Sequence, residues 1–596
     1  MKDASAKLAR ATAFLRRALK LAPSDTRVFS SLRDLYEQAG EHAALAELLA
    51  HRLTTSSNPF EMTTLHLARA ELFAGPLGDR AVAKAELGTI LAKEPHHARA
   101  LARLADLEEE QGNHAAAAEL LMRRSVTERS PEKLRDLFLR LGRIHQQHVP
   151  DPKRAVAAFS RVLHLDGKNR EALDALSNLF VGLGDTRNAT ALTEQLLRLE
   201  SAPAQRVVYH LRLGQVAERA GDQKAAQEHF RRAVTEAPLD LRAVAELARH
   251  LEKIHDQSGR AHVLDATAAE LRAAVLAAPR HAAHREALAS VLGWRGRPAA
   301  AAAVLELGAL LGSGVPQARD GDGRRLNRLA GGALDDRLDP PGVPSSVRQL
   351  FRMLGPIERQ AYRPELARFG ADRSQRVADG RPPRDVFDRV ASELGVGGYE
   401  LYVVPPGPGV SKRPLPALPP LVAVPGKPPA IIVGASLLES GRASVRFAAA
   451  RGLRLTSSYL DLALADGDAG LAAWLGGAIG QFVPGYRRDD AAPERVAAVG
   501  ARLAKLLPRR ARPELLPFAL EASGELDVGV LADGIRDGAN RVGLLACGSL
   551  AAALTTVCSI NGRPVSDEAL LDLREARVLL EFALSDEHDE LARLLA

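Results

Sequence analysis

The sequence predicts a mainly α-helical protein, in which an α-solenoid over residues 1–311 precedes a smaller, mostly helical α+β domain over residues 346–596. Two observations lead to this prediction. Hydrophobic residues make up 46% of the chain but aromatic residues only 4%, so the apolar content is mostly Ala, Leu and Val, which is typical of close-packed helices. Glycines also recur at a fixed interval in the first half. Residues 312–345, rich in Gly, Pro, Asp and Arg, are predicted to link the two parts.

The first half repeats itself every 72 residues. Gly40, Gly112 and Gly184 each precede a similar helical phrase and lie 72 residues apart. The Leu-Gly pairs that end at Gly142 and Gly214 keep the same interval. The unit therefore splits into two helical hairpins of about 36 residues. Seven to nine hairpins would account for residues 5–311.

The clearest hairpin spans residues 207–240, where apolar residues recur at helical spacing. Gly221 is predicted to end the first helix because glycine can adopt the left-handed conformation that closes a helix. Pro238 is predicted to end the second helix because it has no N–H to continue it. Gly214 and Ala226 are predicted at the crossing of the two helices, where a larger side chain would push them apart.

This hairpin resembles the tetratricopeptide repeat (TPR), although the Trp of that family is missing throughout. The residues that match the family pattern are Leu213, Gly214, Ala217, Ala226, Phe230, Ala233 and Pro238. The resemblance implies a groove that binds a protein or peptide partner. The candidate groove residues are polar positions of the first helices, namely Arg33, Arg103, Asn178 and Arg212.

The second half has a mixed pattern. Two helices are predicted in residues 345–395, the second of them after Pro382-Pro383. Three short strands follow in the phrases YELYVVPP, LVAVPG and PAIIVGASLL. From Ala443 onward, an Ala- and Leu-rich stretch predicts helices almost to the C-terminus.

This order of elements resembles the zinc-peptidase group that contains the heat-shock protease HtpX and the CaaX-prenyl endopeptidases. In that group, a helix after the strands carries HExxH, and a later helix supplies a Glu as third ligand. The resemblance places Arg451 at the first His, Gly452 at the general-base Glu and Leu455 at the second His. It places Arg536 at the third ligand and Asn540 at a following Asp.

We call these five positions degenerate, since none keeps the residue of the peptidase group. They cannot hold zinc, because Arg does not bind a cation and Leu has no donor atom. No HExxH occurs anywhere in the chain. The resemblance therefore implies a peptidase-like fold without its metal, and no cofactor is predicted.

The composition also limits the partners and the location. The net charge of +7 comes without a localised basic stripe interleaved with aromatic residues, which argues against nucleic-acid binding. There is no run of about 18 apolar residues, so no membrane span is predicted. The N-terminus lacks the apolar core of a signal peptide, and two cysteines are too few for a disulfide framework. We therefore expect a soluble cytoplasmic protein of a bacterium.

Together these features predict a non-enzymatic interaction or scaffold protein that binds its partner in the solenoid groove. Two alternatives stay open. One is an active metal-dependent peptidase or hydrolase with a non-standard site, which the absence of His from residues 440–545 disfavours. The other is an adaptor component of a bacterial signalling or motility system. The first helix starts without an obvious polar cap, which leaves an oligomer open.

Overall fold

The computed structural model describes residues 2–313, 326, 337–340, 342–360, 362–363, 365–405 and 420–595. The chain divides into two compact units, Met1–Pro238 and Leu239–Ala596. The fold is mainly α-helical, as predicted. Within the described ranges, no helix is both long enough and apolar enough to cross a membrane. Most of the predicted linker over residues 312–345 lies outside the described residues.

The first unit consists of helices that follow one another through short turns. They are α1 (Lys2–Leu21), α2 (Thr26–Ala39), α3 (His42–Thr55), α4 (Pro59–Ala74), α5 (Arg80–Lys93), α6 (Ala98–Glu110), α7 (His114–Ser125), α8 (Pro131–Gln147), α9 (Pro152–Leu165), α10 (Arg170–Leu183), α11 (Thr186–Leu199), α12 (Pro203–Arg219) and α13 (Gln223–Glu236). From α2 onward, they pair as successive antiparallel hairpins whose buried faces form the cores of the stack.

The turn glycines predicted from the repeat take the left-handed conformation. The φ angle is 68° at Gly40, 80° at Gly112, 79° at Gly184 and 81° at Gly221. A side chain with a Cβ would be strained at each of these angles. After Gly221, the Asp222 carboxylate accepts a hydrogen bond from a backbone N–H in the first turn of α13 at 2.9 Å. This bond starts the second helix directly after the turn.

In the hairpins α8–α9 and α12–α13, the two helices cross at a glycine that faces a phenylalanine. A Cβ built on Gly142 would lie 2.6 Å from the ring of Phe159, and one built on Gly214 would overlap Phe230 in the same way. Ala226 is fully buried at the same crossing. The structure thus places Gly214 and Ala226 where the two helices approach closely.

The other markers of the 207–240 hairpin also have structural roles. Leu213 is buried, with 2% of its surface exposed, and Ala233 is fully buried. Helix α13 ends at Glu236, two residues before Pro238, as predicted. The repeat pattern therefore describes the packing of this hairpin residue by residue.

The second unit begins with two further hairpins and continues into the α+β part. Its helices are α14 (Leu241–Lys253), α15 (Gln257–Ala277), α16 (Ala282–Trp294), α17 (Pro298–Ser313), α18 (Ser345–Arg359), α19 (Arg384–Glu393), α20 (Ala435–Leu438), α21 (Arg442–Ser457), α22 (Asp461–Leu464), α23 (Gly467–Ile479), α24 (Pro493–Leu506), α25 (Arg512–Glu521), α26 (Val528–Cys547), α27 (Leu550–Ile560), α28 (Asp567–Asp572), α29 (Arg574–Ala583) and α30 (Asp586–Leu595). Short 3-10 turns lie at Leu366–Phe369, Arg373–Gln375 and Arg509–Ala511.

The three predicted strands form one small sheet in the order β1-β3-β2. They are β1 (Glu400–Val404), β2 (Leu421–Val424) and β3 (Ala430–Gly434). Strand β1 runs parallel to β3 and β2 runs antiparallel to it. One part of the strand prediction is wrong. The ASLL end of the third strand forms the short helix α20, because Gly434 ends the strand and serves as its N-cap.

The last hairpins pack against helices from the end of the chain. The Asp586 carboxylate, at the start of α30, pairs with Arg272 of α15 at 2.5 Å and also with Arg297. Glu306 of α17 accepts a hydrogen bond at 2.9 Å from the hydroxyl of Ser549, the N-cap residue of α27. These contacts group residues 239–313 with the C-terminal part, whereas the predicted boundary at residue 311 follows the repeat pattern. That boundary stays a prediction.

The close crossing at Gly214 yields a first prediction. We expect Gly214→Ala to destabilise the first unit by about 1–3 kcal/mol, because the new methyl group overlaps the ring of Phe230. The measurement is the unfolding transition of the whole chain, followed by circular dichroism. Gly88→Ala in α5 is the matched control, since it faces open space and should be neutral or stabilising by up to about 1 kcal/mol. Equal melting of the two variants would contradict the role of Gly214.

Two histidines in the last hairpin of the first unit yield a second prediction. His210 is 1% exposed, and its Nδ1 lies 3.4 Å from that of His229. Burial and the neighbouring His229 lower the pKa of His210 to about 4. The unfolded chain, in which the pKa is about 6.5, therefore binds the proton more readily than the folded chain.

The stability that the neutral His210 contributes is complete above about pH 6.5 and is lost as the pH falls toward 4. We expect His210→Gln to flatten the pH dependence of the free energy of unfolding in that window. Denaturant titrations of both proteins at several pH values measure the difference. An unchanged slope in the variant would show that His210 does not carry the effect.

Candidate functional site

The four predicted groove residues lie on the first helices of four hairpins. Arg33 is on α2, Arg103 on α6, Asn178 on α10 and Arg212 on α12. Asn178 is exposed, and Arg33 and Arg103 are half-buried. Whether these residues line a partner-binding groove stays a prediction.

Arg212 has a role inside the stack. Its side chain is only 13% exposed, and its Nη1 lies 2.9 Å from Asp174 Oδ1 and 3.1 Å from Ser177 Oγ. Both partners belong to α10, the first helix of the preceding hairpin. Arg212 therefore connects two first helices, and its guanidinium is already engaged.

Arg140 makes the same kind of connection one repeat unit earlier. It lies 72 residues before Arg212, on α8, and pairs with Asp106 at 2.8 Å and Glu109 at 2.7 Å. Both acids belong to α6. Arg140 was not among the predicted groove residues, although the 72-residue interval from Arg212 points to it.

Two further ion pairs extend this row of first helices. Arg143 of α8 forms a bidentate ion pair with Glu171 of α10, with N–O distances of 2.5 and 2.6 Å. The bonds to Arg143 lower the pKa of Glu171. Arg99 of α6 lies 3.2 Å from Glu71 of α4. The first helices α4, α6, α8, α10 and α12 are thus joined side by side.

We call this row the first-helix surface. Its residues are Glu71, Arg99, Asp106, Glu109, Arg140, Arg143, Glu171, Asp174, Asn178 and Arg212. Exposed ion pairs contribute only about 0–1 kcal/mol each, so the apolar cores, not these pairs, hold the hairpins together. The pairs instead fix the relative positions of neighbouring first helices and leave a surface of both charges.

In the second unit, three polar side chains from three helices meet. Arg451 of α21 is 7% exposed, and its Nε donates to Asn540 Oδ1 of α26 at 2.7 Å. Glu575 of α29 accepts from Asn540 Nδ2 at 2.9 Å and lies 3.5 Å from Arg451 Nη2. Burial lowers the pKa of Arg451, and the negative charge of Glu575 opposes that shift. Glu575 was not among the predicted site residues, and no sequence pattern marked it.

The other degenerate positions lie around the same place. Leu455, one turn after Arg451, is 5% exposed and belongs to the core. Gly452 is buried, and a Cβ there would lie 3.5 Å from Ile431 of β3. Arg536 pairs with Asp533 at 2.8 Å.

Arg451, Leu455 and Arg536 share one cavity of about 440 Å³ with Glu575. Helix α21 carries Arg451 and Leu455, and α26 carries Arg536. These two helices pack closely, since a Cβ on Gly543 of α26 would lie 2.7 Å from the ring of Phe447 of α21. The structure thus brings together residues that lie about 80 to 120 positions apart. Among the residues that the structure describes, no three or more His, Cys, Asp or Glu side chains form a group that could hold a metal ion.

No protein-family model matches the chain, and no curated protein matches it. Solved structures similar to it include MamA, with 18% identity over 30% of this chain and 95% of that one, at a TM-score of 0.25. The C-terminal part of a TPR repeat-containing protein from Cytophaga hutchinsonii is 11% identical over 40% of this chain and 95% of that one, at a TM-score of 0.29. YrrB, described as a TPR protein with an unusual peptide-binding site, is 13% identical over 39% of this chain and 96% of that one, at 0.23.

The buried Arg451 yields a third prediction. We expect Arg451→Met to destabilise the second unit by about 3–5 kcal/mol, because it leaves Glu575 and Asn540 without their cationic partner. Both tryptophans of the chain, Trp294 and Trp474, lie in that unit, so their fluorescence reports its unfolding.

The control is the double variant Arg451→Met with Glu575→Gln, which removes both charges and keeps a hydrogen-bonding group beside Asn540. We expect it to recover part of the lost stability. A double variant no more stable than Arg451→Met would mean that the loss comes from packing and not from an unpaired charge.

Proposed function

We propose that the chain is a non-enzymatic interaction protein whose first unit binds a protein or peptide partner on the first-helix surface. The observation that carries this proposal is the row of ion pairs that joins α4, α6, α8, α10 and α12 side by side. It turns the polar faces of separate hairpins into one continuous surface. Helical repeats bind partners on extended surfaces of this kind.

The chemistry of this surface favours a polar partner. Arg and acidic side chains both occur on it, and Asn178 adds an exposed amide. Charges of both signs set the register of a partner more than they add affinity. We therefore propose a partner segment that carries both basic and acidic residues.

The same proposal treats the 346–596 segment as a catalytically silent, peptidase-like domain. The meeting of Arg451, Leu455 and Arg536 at one cavity supports it, because these side chains occupy the zinc-ligand positions implied by the resemblance. A guanidinium at the floor of the cavity repels a metal cation. The cytoplasmic location, the bacterial origin and the absence of a nucleic-acid partner remain predictions from composition.

The proposal predicts where a partner can be cross-linked. A photoreactive amino acid at Asn178 or Arg103 of the full chain should capture the same partner in cells, because both positions lie on first helices of the joined row, α10 and α6. Mass spectrometry identifies the captured protein. Arg198 on α11 and Arg231 on α13 are exposed positions on second helices and serve as matched controls.

Reconstitution with the purified partner completes the test. Reversing the charges of Arg143 and Asp174 should weaken binding by about tenfold or more while the circular dichroism spectrum stays unchanged. Equal capture from the second-helix positions would refute the assignment of the surface. Stoichiometric zinc in the purified chain, with casein hydrolysis that a chelator abolishes, would refute the non-enzymatic role.

A further inference from the structure

The cavity in the second unit runs along the edge of the sheet. Five consecutive residues, from Leu421 to Pro425, line it. Side chains alternate between the two faces of a strand, so a cavity lined by consecutive residues meets the backbone edge and not one face. Strand β2 is an outer strand of the sheet, which has the order β1-β3-β2 in the described residues.

The register of the sheet shows which backbone groups of β2 are left at its outer edge. The Gly434 N–H donates to the Pro420 carbonyl at 2.8 Å, so the hydrogen-bonded pairs of this antiparallel ladder continue at Val422 and Val424. The N–H and C=O groups of Leu421 and Ala423 therefore point away from β3. A ligand that fits this edge must alternate amide acceptors and donors along its length, as an extended peptide does.

A cationic group lies in the same cavity. Arg451 and Arg536 both line it and are close enough that the charge of Arg536 lowers the pKa of Arg451. Glu575 lies beside Arg451, and Asp533 pairs with Arg536 at 2.8 Å, so an anion would be held by unused guanidinium donors and not by an excess of positive charge. The Nε of Arg451 donates to Asn540, and Glu575 lies 3.5 Å from Nη2 of Arg451, at the limit of a hydrogen bond. A guanidinium has five N–H donors, so donors of Arg451 remain for an anion.

The walls between the edge and the cations are partly apolar. Leu455, Leu464 and Phe369 contribute to them. A ligand that reaches Arg451 along β2 therefore places an apolar side chain beside its charged end.

We propose that this cavity binds the C-terminus of a peptide, which adds to the edge of β2 and places its α-carboxylate between Arg451 and Arg536. The last side chain of the peptide is apolar and lies against Leu455. This site is independent of the first-helix surface, so either assignment can fail without the other.

The probe is a library of fluorescent peptides of eight random residues with free C-termini, sorted against the full chain. The selected peptides are then resynthesised with a C-terminal amide. We expect apolar residues at the last position and an affinity at least about tenfold weaker after amidation, because the charge-assisted bonds to the guanidinium groups are lost. N-acetyl-leucine and free leucine serve as competitors that separate a peptide site from an amino-acid site.

Three variants localise the binding. Ala423→Pro removes an outward N–H without breaking the ladder to β3, and Ala423→Gly keeps that N–H as its control. Arg536→Met removes the more exposed cation and avoids the folding defect expected of Arg451→Met. We expect Ala423→Pro and Arg536→Met each to weaken binding about fivefold or more, with unchanged tryptophan fluorescence.

The proposal is wrong if no peptide is enriched. It is equally wrong if enriched peptides bind as tightly after amidation, or bind Ala423→Pro and Arg536→Met as tightly as the unaltered chain. If free leucine competes at the same concentration as the peptides, the cavity is an amino-acid site and not a peptide site. That result would also overturn the proposal.

Discussion

Phe159 and Phe230 each lie against a glycine on the preceding helix, and this contact sets how closely the helices of a hairpin approach. The missing side chains of Gly142 and Gly214 leave a gap that the rings fill. The same contact recurs in α8–α9 and α12–α13, 72 residues apart. Because of that regularity, Arg140 and Arg212, 72 residues apart, both reach acids on the preceding first helix. The charged surface thus depends on an apolar contact beneath it.

The second unit contains a glycine–phenylalanine contact of the same kind. Gly543 faces the ring of Phe447 where α21 and α26 cross, and this close approach brings Arg451 to Asn540. An Arg buried there needs an acid, which Glu575 supplies from a third helix. A metal ion would tie three helices together through its ligands, whereas here a guanidinium and its hydrogen bonds do so. The cavity beside them keeps unused donors, which makes it suited to an anion.

Local features of the fold could be predicted from the sequence because they repeat. The period located Gly40, Gly112 and Gly184, and the small residues Gly214 and Ala226 indicated the crossing in the 207–240 hairpin. The three strands were found by their alternation, except that ASLL became a helix. Glu575 and Asp586 could not be found in this way. Their partners, Arg451 and Arg272, lie 124 and 314 residues away, and no period relates them.

The extent of the repeat segment shows the same limit. The Gly- and Pro-rich composition after residue 311 indicates where helices stop, but it does not say what covers the last hairpin. An uncovered end of a helical stack exposes apolar surface to water, so terminal repeats need a cap. Here α27 and α30, from the end of the chain, pack on α17, and Glu306 binds the N-terminus of α27. The last hairpin, capped in this way, has its apolar face buried within the second unit.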